Sequence, residues 1–309
     1  MAIKRLKPKN DFIFQRLFGE QEAEDSLISL LNAILRLEEK RRIVHLTVIE
    51  NKQLAKKLID DKTERLDVRA ETADQVQINI EVQLTDYRNM PRRSLFYLSK
   101  LYADSIKSGG RYEELKKTIA INIVDFRLFD FERFHSTFHF YEDNEHRFML
   151  TDAMEVHFIE YPKFKAARKN LDDPLHRWLL FLDEKLPEDQ LKELVEMDPV
   201  IGKAEERLEW LSSDEETIRL YEAREYSLIE RNSLVADGEA RGMEKGRALG
   251  RAEGKVEGKV EGKAEGLIEA KAEVAMTMIR KGADDALIME FTGMSLEEIT
   301  TLRNQLTAE

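Results

Sequence analysis

Alternation of apolar and polar residues along one short segment is the feature that most constrains the fold of this 309-residue chain. The alternation covers positions 65–71 and, after a polar break, positions 76–84. A period of two places successive side chains on opposite faces of a strand, so the two runs predict a β-hairpin. If the break is centred on Asp74, the register sets Val68 opposite Ile80, and one face of the hairpin is wholly apolar.

The polar face of this hairpin carries the candidate chemistry. The same register sets Asp67 opposite Glu81, with Gln83 two residues further along the same face. Like charges directly opposite each other are destabilising, so the pair predicts a cation between them. A divalent, oxygen-loving ion such as Mg²⁺ or Mn²⁺ suits two carboxylates best, and it can activate water and stabilise charge on a phosphate. Because the carboxylates repel, replacing either with alanine should leave the metal-free stability unchanged or raise it.

Gln83 can neither act as a base nor supply a positive charge, but its amide can orient a water molecule. The pattern alone leaves a second interpretation open, in which these polar residues are the hydrated face of an ordinary antiparallel sheet.

The first 165 residues mix helical and strand patterns, whereas the remainder is helical. A helix is predicted from Asp11, capped by Asn10 or by Asp11 itself, and further helices over 26–37 and 90–106. Strands are predicted over 43–49, 117–125, 138–141, 147–150 and 154–159, and later helices from 171, over 186–197, over 204–210 and over 214–235. The predicted fold class is therefore α/β, followed by an all-helical C-terminal region.

Eight glycines recur every four residues from Gly238 to Gly266, among Glu, Lys, Arg and Ala. Glycine costs about 0.8–1 kcal/mol per position relative to alanine inside a helix, or roughly 6–8 kcal/mol over the segment. Close packing against another helix could offset that cost. The segment is therefore either a frayed, charged spacer or a helix through which copies of the chain associate.

The last forty or so residues predict three short helices. Gly282 and Gly293 end the first two, and Ser295 with Glu298 forms a capping box for the third. Such a unit is compatible with a helix-turn-helix or with a small helical interaction cap. We therefore divide the chain into a core domain at 1–165, a helical region at 166–236, the repeat at 237–267 and a C-terminal helical unit at 268–309.

Charge and composition narrow the class of protein further. The net charge of −12 is uneven, because residues 1–120 hold 23 Lys and Arg against 19 Asp and Glu. A mildly basic N-terminal module keeps binding to a polyanion open. The lack of cysteine excludes disulfides and thiolate metal sites and suits a reducing, cytoplasmic location. No apolar run approaches the length of a membrane span.

Several motifs, taken in order, carry a resemblance to a known family. They are Lys9-Asn-Asp-Phe with Leu17-Phe-Gly, Arg65-Leu-Asp-Val, Asn79-Ile-Glu-Val-Gln, Arg92 with Tyr97-Leu-Ser-Lys-Leu-Tyr, Ile121–Phe126, and His157-Phe-Ile-Glu-Tyr-Pro-Lys-Phe. With the glycine repeats and the tail Thr292-Gly-Met-Ser-Leu-Glu-Glu-Ile, they make the chain resemble the Rpn family of recombination-promoting nucleases and transposases. That family is a branch of the PD-(D/E)XK nuclease superfamily, and the resemblance covers essentially the whole chain.

The resemblance implies a restriction-endonuclease-like core, a mixed sheet flanked by helices, and assigns roles to the hairpin residues. Asp67 matches the strand aspartate and Glu81 the first residue of the (D/E)XK element, the two metal ligands. Gln83 stands where the superfamily usually has lysine. Asp11 matches an acidic residue that the first helix sometimes adds to the site, although it can equally be a helix cap.

Two residues of the following helix complete the candidate site. Arg93 and Tyr97 lie four residues apart, so they share one helix face and could both face phosphate; for Tyr97, packing in the core is the alternative. His135 and His139 could approach a metal together only on a helix, and the pattern around them predicts a strand.

These features predict a Mg²⁺-dependent endodeoxyribonuclease, with Mn²⁺ as the alternative ion, in which Asp67 and Glu81 hold the metal and Gln83 orients water. The resemblance implies DNA as the partner and a role in recombination, mobile elements or defence against foreign DNA, and the glycine repeat predicts a homo-oligomer. The loss of the usual lysine at position 83 favours the alternative, a catalytically weak or silent DNA-binding scaffold that retains the nuclease fold.

Overall fold

A computed structural model describes residues 5–49 and 68–307 of the chain. Contacts between residues divide the chain into two units, Met1–Asn232 and Ser233–Glu309. The finer division into four parts that the sequence suggests stays a prediction.

The first unit is built on a six-stranded mixed sheet with the strand order β1-β2-β3-β4-β6-β5. The strands are β1 (Leu46–Val48), β2 (Val68–Thr72), β3 (Gln77–Gln83), β4 (Thr118–Val124), β5 (His135–Tyr141) and β6 (Met149–Glu160). The neighbours β3, β4 and β6 run parallel, and the remaining pairs are antiparallel. Every residue of β4 is buried, which fits a central strand with both faces covered.

The hairpin of β2 and β3 adopts the predicted register. Val68 pairs with Ile80 and Ala70 pairs with Ile78, and all four side chains are buried. Gln75, in the turn, has a positive φ of 63°. The predicted register is therefore confirmed over these pairs, whereas Asp67 lies outside the described residues.

Ten α-helices accompany the sheet within the described residues. They are α1 (Asp11–Phe18), α2 (Glu24–Leu35), α3 (Met90–Ala103), α4 (Tyr161–Ala166), α5 (Pro174–Phe181), α6 (Glu188–Met197), α7 (Pro199–Ser213), α8 (Glu215–Arg280), α9 (Asp285–Thr292) and α10 (Leu296–Thr307). Asn10 caps α1, because its side chain accepts hydrogen bonds from the backbone N–H groups of Phe12 and Ile13. The predicted mixed sheet flanked by helices, followed by a helical region, is confirmed.

The two faces of the sheet are covered by different helices. One face carries the larger core, in which residues of α1, α2, α5 and α7 pack against the apolar side of the hairpin; Trp178, for example, meets Phe18 edge-on at 5.6 Å. The other face is covered by α3, whose residues Met90, Ser94 and Leu98 are buried at a spacing of four. This second face bears Asn79, Glu81 and Gln83.

Long-range contacts tie the start of the described chain to its late helices. Arg5 donates hydrogen bonds to the carboxylate of Glu205, the backbone N–H of Leu6 donates to the hydroxyl of Ser212 at 3.1 Å, and Arg224 of α8 pairs with Asp11. The helices after position 166 therefore complete the core that the first helices begin.

Two elements are longer than the sequence patterns suggested. The predicted strands at 147–150 and 154–159 form the single strand β6, because the first half of this strand is paired with β5 although it is largely exposed. The helix predicted to end near Val235 continues through the glycine repeat to Arg280, since the residues between the glycines are strong helix formers. Apart from the adjoining backbone of the helix itself, a Cβ atom placed on any of the eight repeat glycines would meet no described atom within 4 Å.

The second unit has a small core of its own, in which Ala275, Ile288 and Ile299 are fully buried. The predicted glycine stops and the capping box are confirmed, because Gly282 and Gly293 have positive φ angles and Ser295 exchanges hydrogen bonds with Glu298. Among the described helices, none has the length and apolar character needed to cross a bilayer.

Candidate active site

Strand β3 positions two of the predicted site residues on the face beneath α3. Glu81 and Gln83 are two residues apart and therefore point to the same side of the sheet. Glu81 is only 5% exposed and Gln83 is half-buried. The interpretation of this face as an ordinary hydrated surface is therefore wrong for Glu81, because α3 covers it.

Arg93 of α3 brings these two residues together. Its Nη2 donates hydrogen bonds to Oε1 of Glu81 and, at 2.8 Å, to Oε1 of Gln83. The amide nitrogen of Gln83 donates to the carbonyl oxygen of Thr85 at 3.0 Å, which fixes the orientation of the amide and turns its oxygen toward Arg93. A carboxylate oxygen and an amide oxygen thus converge on one cationic nitrogen.

A second polar layer, which the sequence analysis did not identify, supports the site. The hydroxyl of Ser94 and Oδ1 of Asn122 lie 3.0 Å apart, and Nδ2 of Asn122 donates to the carbonyl oxygen of His157. On the neighbouring strand, Nε of Arg69 donates to Oδ1 of Asn79 at 3.3 Å. The signal for Asn122 was present in the sequence, because it is a polar residue inside an otherwise apolar central strand.

Between these groups is a cavity of about 20 Å³, lined by Glu81, Asn79, Asn122, Ser94 and Tyr97 among others. This volume accommodates one water molecule with polar partners on several sides. Tyr97 is 37% exposed and contacts the ring of Phe96 edge-on at 5.1 Å. It therefore borders the candidate site on the solvent side instead of lying in the core.

Asp11 has a different environment. It is the first residue of α1, and its carboxylate accepts hydrogen bonds from Arg224 of α8. Burial lowers the pKa of the Arg224 guanidinium, but the hydrogen bond and charge of Asp11 outweigh burial and raise it overall. The prediction that Asp11 adds a carboxylate to the metal site stays a prediction.

The donors at this site suit a hard divalent cation. Mg²⁺ and Mn²⁺ take carboxylate and carbonyl-type oxygens, and Glu81 and Gln83 present one of each, which in this structure both accept from Arg93. Among the described residues, no three His, Asp or Glu side chains are arranged to hold a metal ion. The second predicted carboxylate, Asp67, lies outside those residues.

A histidine network lies on the opposite face of the sheet, along β5 and β6. Nε2 of His135 lies 2.9 Å from Nδ1 of His157, and Nε2 of His157 lies 2.7 Å from Glu155, which also faces His139 and Lys117. Burial, and then the neighbouring His157, lower the pKa of His135 to about 4. Burial raises the pKa of Glu155, but His157 and Lys117 outweigh it and bring the value to about 2. His135 and His139 lie on a strand, as predicted.

The mixed sheet thus carries a carboxylate and an amide on one strand, and both face a cation on the covering helix. The family model described as PD-(D/E)XK nuclease family transposase matches residues 8–238. The chain therefore belongs to this family, which confirms the predicted resemblance and supports a nuclease-like or transposase-like function. No curated protein and no solved structure matched the chain in the other two comparisons.

Proposed function

We propose that this protein is a metal-dependent endonuclease that hydrolyses phosphodiester bonds in DNA. The observation that carries the proposal is the convergence of Glu81 and Gln83 on Arg93 in a buried, polar layer of a nuclease-family fold. Burying polar groups lowers stability unless the groups are paired, and an apolar core would be at least as stable at this place. A buried polar layer of this kind therefore supports a functional role for these residues.

In this proposal Asp67 and Glu81 hold Mg²⁺, or alternatively Mn²⁺. The register observed between Val68 and Ile80 is the register from which the pairing of Asp67 with Glu81 was predicted, and this agreement supports the assignment. When bound, the ion supplies a Lewis acid that stabilises the charge developing on the phosphate.

The side chains of the protein itself supply orientation and charge. Arg93 provides the positive charge that Gln83 cannot, since a guanidinium is charged at all relevant pH values and its donor fork fits phosphate oxygens. Gln83, held by Thr85, presents an oxygen that can accept a hydrogen bond from the attacking water and so orient it. Tyr97 lies at the exposed border, where its hydroxyl can donate to a DNA phosphate.

The second candidate function is a DNA-binding scaffold with a silent site. It is favoured by the ion pair between Arg93 and Glu81, which engages the carboxylate that would otherwise hold a metal. Glutamine at position 83, where the superfamily usually has lysine, also favours a silent site.

Plasmid cleavage in the presence of Mg²⁺, Mn²⁺, Ca²⁺ or EDTA tests the proposal. We expect the protein to nick or linearise plasmid with Mg²⁺ or Mn²⁺, and Asp67→Ala and Glu81→Gln to abolish cleavage. The matched control is Glu71→Gln, because Glu71 lies on the same hairpin but pairs with Lys116 at 2.7 Å. Salt-sensitive DNA binding without cleavage by the wild type would support the scaffold instead.

We also propose that the protein acts in the cytoplasm and self-associates through the glycine repeat, in support of recombination, mobile-element transfer or defence against foreign DNA. The repeat is helical, and its glycines leave space beside the backbone for another helix. Light scattering tests self-association by comparing the full chain with the double variant Gly250→Glu and Gly254→Glu. Glutamate favours the helix more than glycine does, but its side chain blocks the close approach of a second helix. The variant should be monomeric; an unchanged mass would contradict the glycine contact.

A further inference from the structure

A separate cavity of about 380 Å³ lies on the sheet face opposite Glu81. It is bordered by the end of α2, by the segment 40–45 and by the turn between β2 and β3. Ile78 lines this cavity, whereas its chain neighbour Asn79 lines the candidate active site. Since consecutive strand residues point to opposite faces, the two sites are separated by the thickness of the sheet.

The floor of the cavity is apolar. Ile43, Ile78 and Ile119 line it and are at most 9% exposed, and Leu37 and Val76 add partly buried surface. A volume in the range of roughly 300–1,000 Å³ with an apolar lining is typical of small-ligand sites. The floor can therefore receive a flat, apolar ring.

The rim of the cavity is basic. Lys40, Arg41 and Arg42 are consecutive, exposed and lining residues. Within the described residues, no carboxylate lies within ion-pair distance of any of the three. Cations that no described carboxylate pairs with, beside an apolar pocket, are available for an anionic group of a ligand.

Two acidic residues, Asp74 and Glu155, also line the cavity. Glu155 is neutralised by Lys117 at 3.2 Å and by its hydrogen bond to His157. Asp74 is exposed on the hairpin turn. Counting Lys117, four basic residues face two acidic ones, and the charge of the cavity stays positive before His45 is considered.

We propose that this cavity binds a nucleotide-sized phosphorylated ligand, with its ring on the isoleucine floor and its phosphate groups at the Lys40–Arg42 rim. Arginine donors bind phosphate oxygens in pairs and remain charged. A DNA backbone is bound through cations that contact successive phosphates, whereas here three consecutive cations border an apolar floor, so the cavity favours a small ligand. The site is independent of the proposed nuclease activity.

Isothermal titration of the full-length protein in EDTA tests the proposal, with adenosine diphosphate, inorganic pyrophosphate, adenosine and a short single-stranded DNA as separate probes. Adenosine diphosphate should bind more tightly than either pyrophosphate or adenosine, because it uses rim and floor together. Its affinity should be unchanged in Glu81→Gln, which places binding outside the candidate active site.

Variants of the rim and the turn distinguish charge from shape. Arg41→Ala and Arg42→Ala should each lower the affinity for adenosine diphosphate by about tenfold or more, which is the loss expected for one charged hydrogen bond. Arg168→Ala, an exposed arginine away from the cavity, is the matched control. Ala73→Phe, at an exposed lining position of the turn, should weaken adenosine diphosphate while leaving pyrophosphate binding unchanged.

Two results would overturn the proposal. One is that adenosine diphosphate does not bind, whether or not DNA binds in an Arg41-dependent way, and the other is an equal loss of affinity in Arg168→Ala. Circular dichroism shows whether each variant is folded, so that a loss of affinity can be assigned to the cavity.

Discussion

Glu81→Ala in the metal-free protein separates two opposite expectations. From the sequence, two facing carboxylates repel, so the loss of one should leave stability unchanged or raise it. The structure reverses this expectation, because the side chain of Glu81 is 6% exposed and pairs with Arg93, whose side chain is 15% exposed. Removing Glu81 leaves a guanidinium in a largely buried position without this partner.

Breaking a buried ion pair by removing one partner costs about 3–5 kcal/mol. We expect Glu81→Ala to lose that much unfolding free energy in urea denaturation with EDTA. The double variant Glu81→Met with Arg93→Met should recover most of the loss, since replacing both partners with apolar groups of similar size is often neutral. Glu71→Ala is the control, because its partner Lys116 is more exposed and the pair is worth less. If Glu81→Ala is as stable as the wild type, or more stable, Arg93 is not the counterion of Glu81 in the metal-free protein.

Three further predictions concern stability. The pKa of His135 is lowered from 6.5 to about 4 in the folded protein, so between these pH values the unfolded chain binds a proton that the folded chain does not. The wild type should therefore lose about 3 kcal/mol of unfolding free energy as the pH falls through this window. His135→Phe should flatten the dependence of the unfolding free energy on pH, measured by urea denaturation, and an unchanged dependence would assign it to another group. Asn122→Leu should lower the unfolding free energy in urea by about 1–3 kcal/mol, because the carbonyl oxygen of His157 loses its side-chain donor and Ser94 loses a partner. A neutral effect would contradict the buried network. Gly254→Ala should stabilise the helix of the dissociated chain by about 0.8–1 kcal/mol, seen by circular dichroism as helicity retained to higher temperature at dilutions where the chain is monomeric; no gain in helicity there would contradict the cost assigned to glycine.

The hairpin could be predicted because a period of two fixes the face of each residue, and the position of the turn then fixes the register. The pairing of Val68 with Ile80 follows from the alternation together with a turn centred on Asp74. The same logic placed Glu81 and Gln83 on one face. It could not show that α3 would cover that face, because the docking of a helix depends on tertiary packing.

Other parts of the structure could not be predicted from local sequence patterns, because they depend on contacts between distant segments. Arg93 was predicted to face phosphate, but its pairing with Glu81 joins a strand to a helix that comes later in the chain. The single strand β6 was missed because its first half is exposed and pairs with β5 across an irregular register. The cavity lined by Arg41 and Ile119 combines elements that are far apart in the sequence.

The contacts between the first helix and the late helices also determine when the core can be completed during synthesis of the chain. Asp11 and its partner Arg224 are 213 positions apart. At about 5–20 residues per second, the ribosome needs about 10–40 s after making α1 to deliver the residue that pairs with it. Until α5 and α7 have been made, Phe12, Phe14 and Phe18 lack part of the core that buries them, and the nascent chain exposes an aromatic surface to which chaperones can bind.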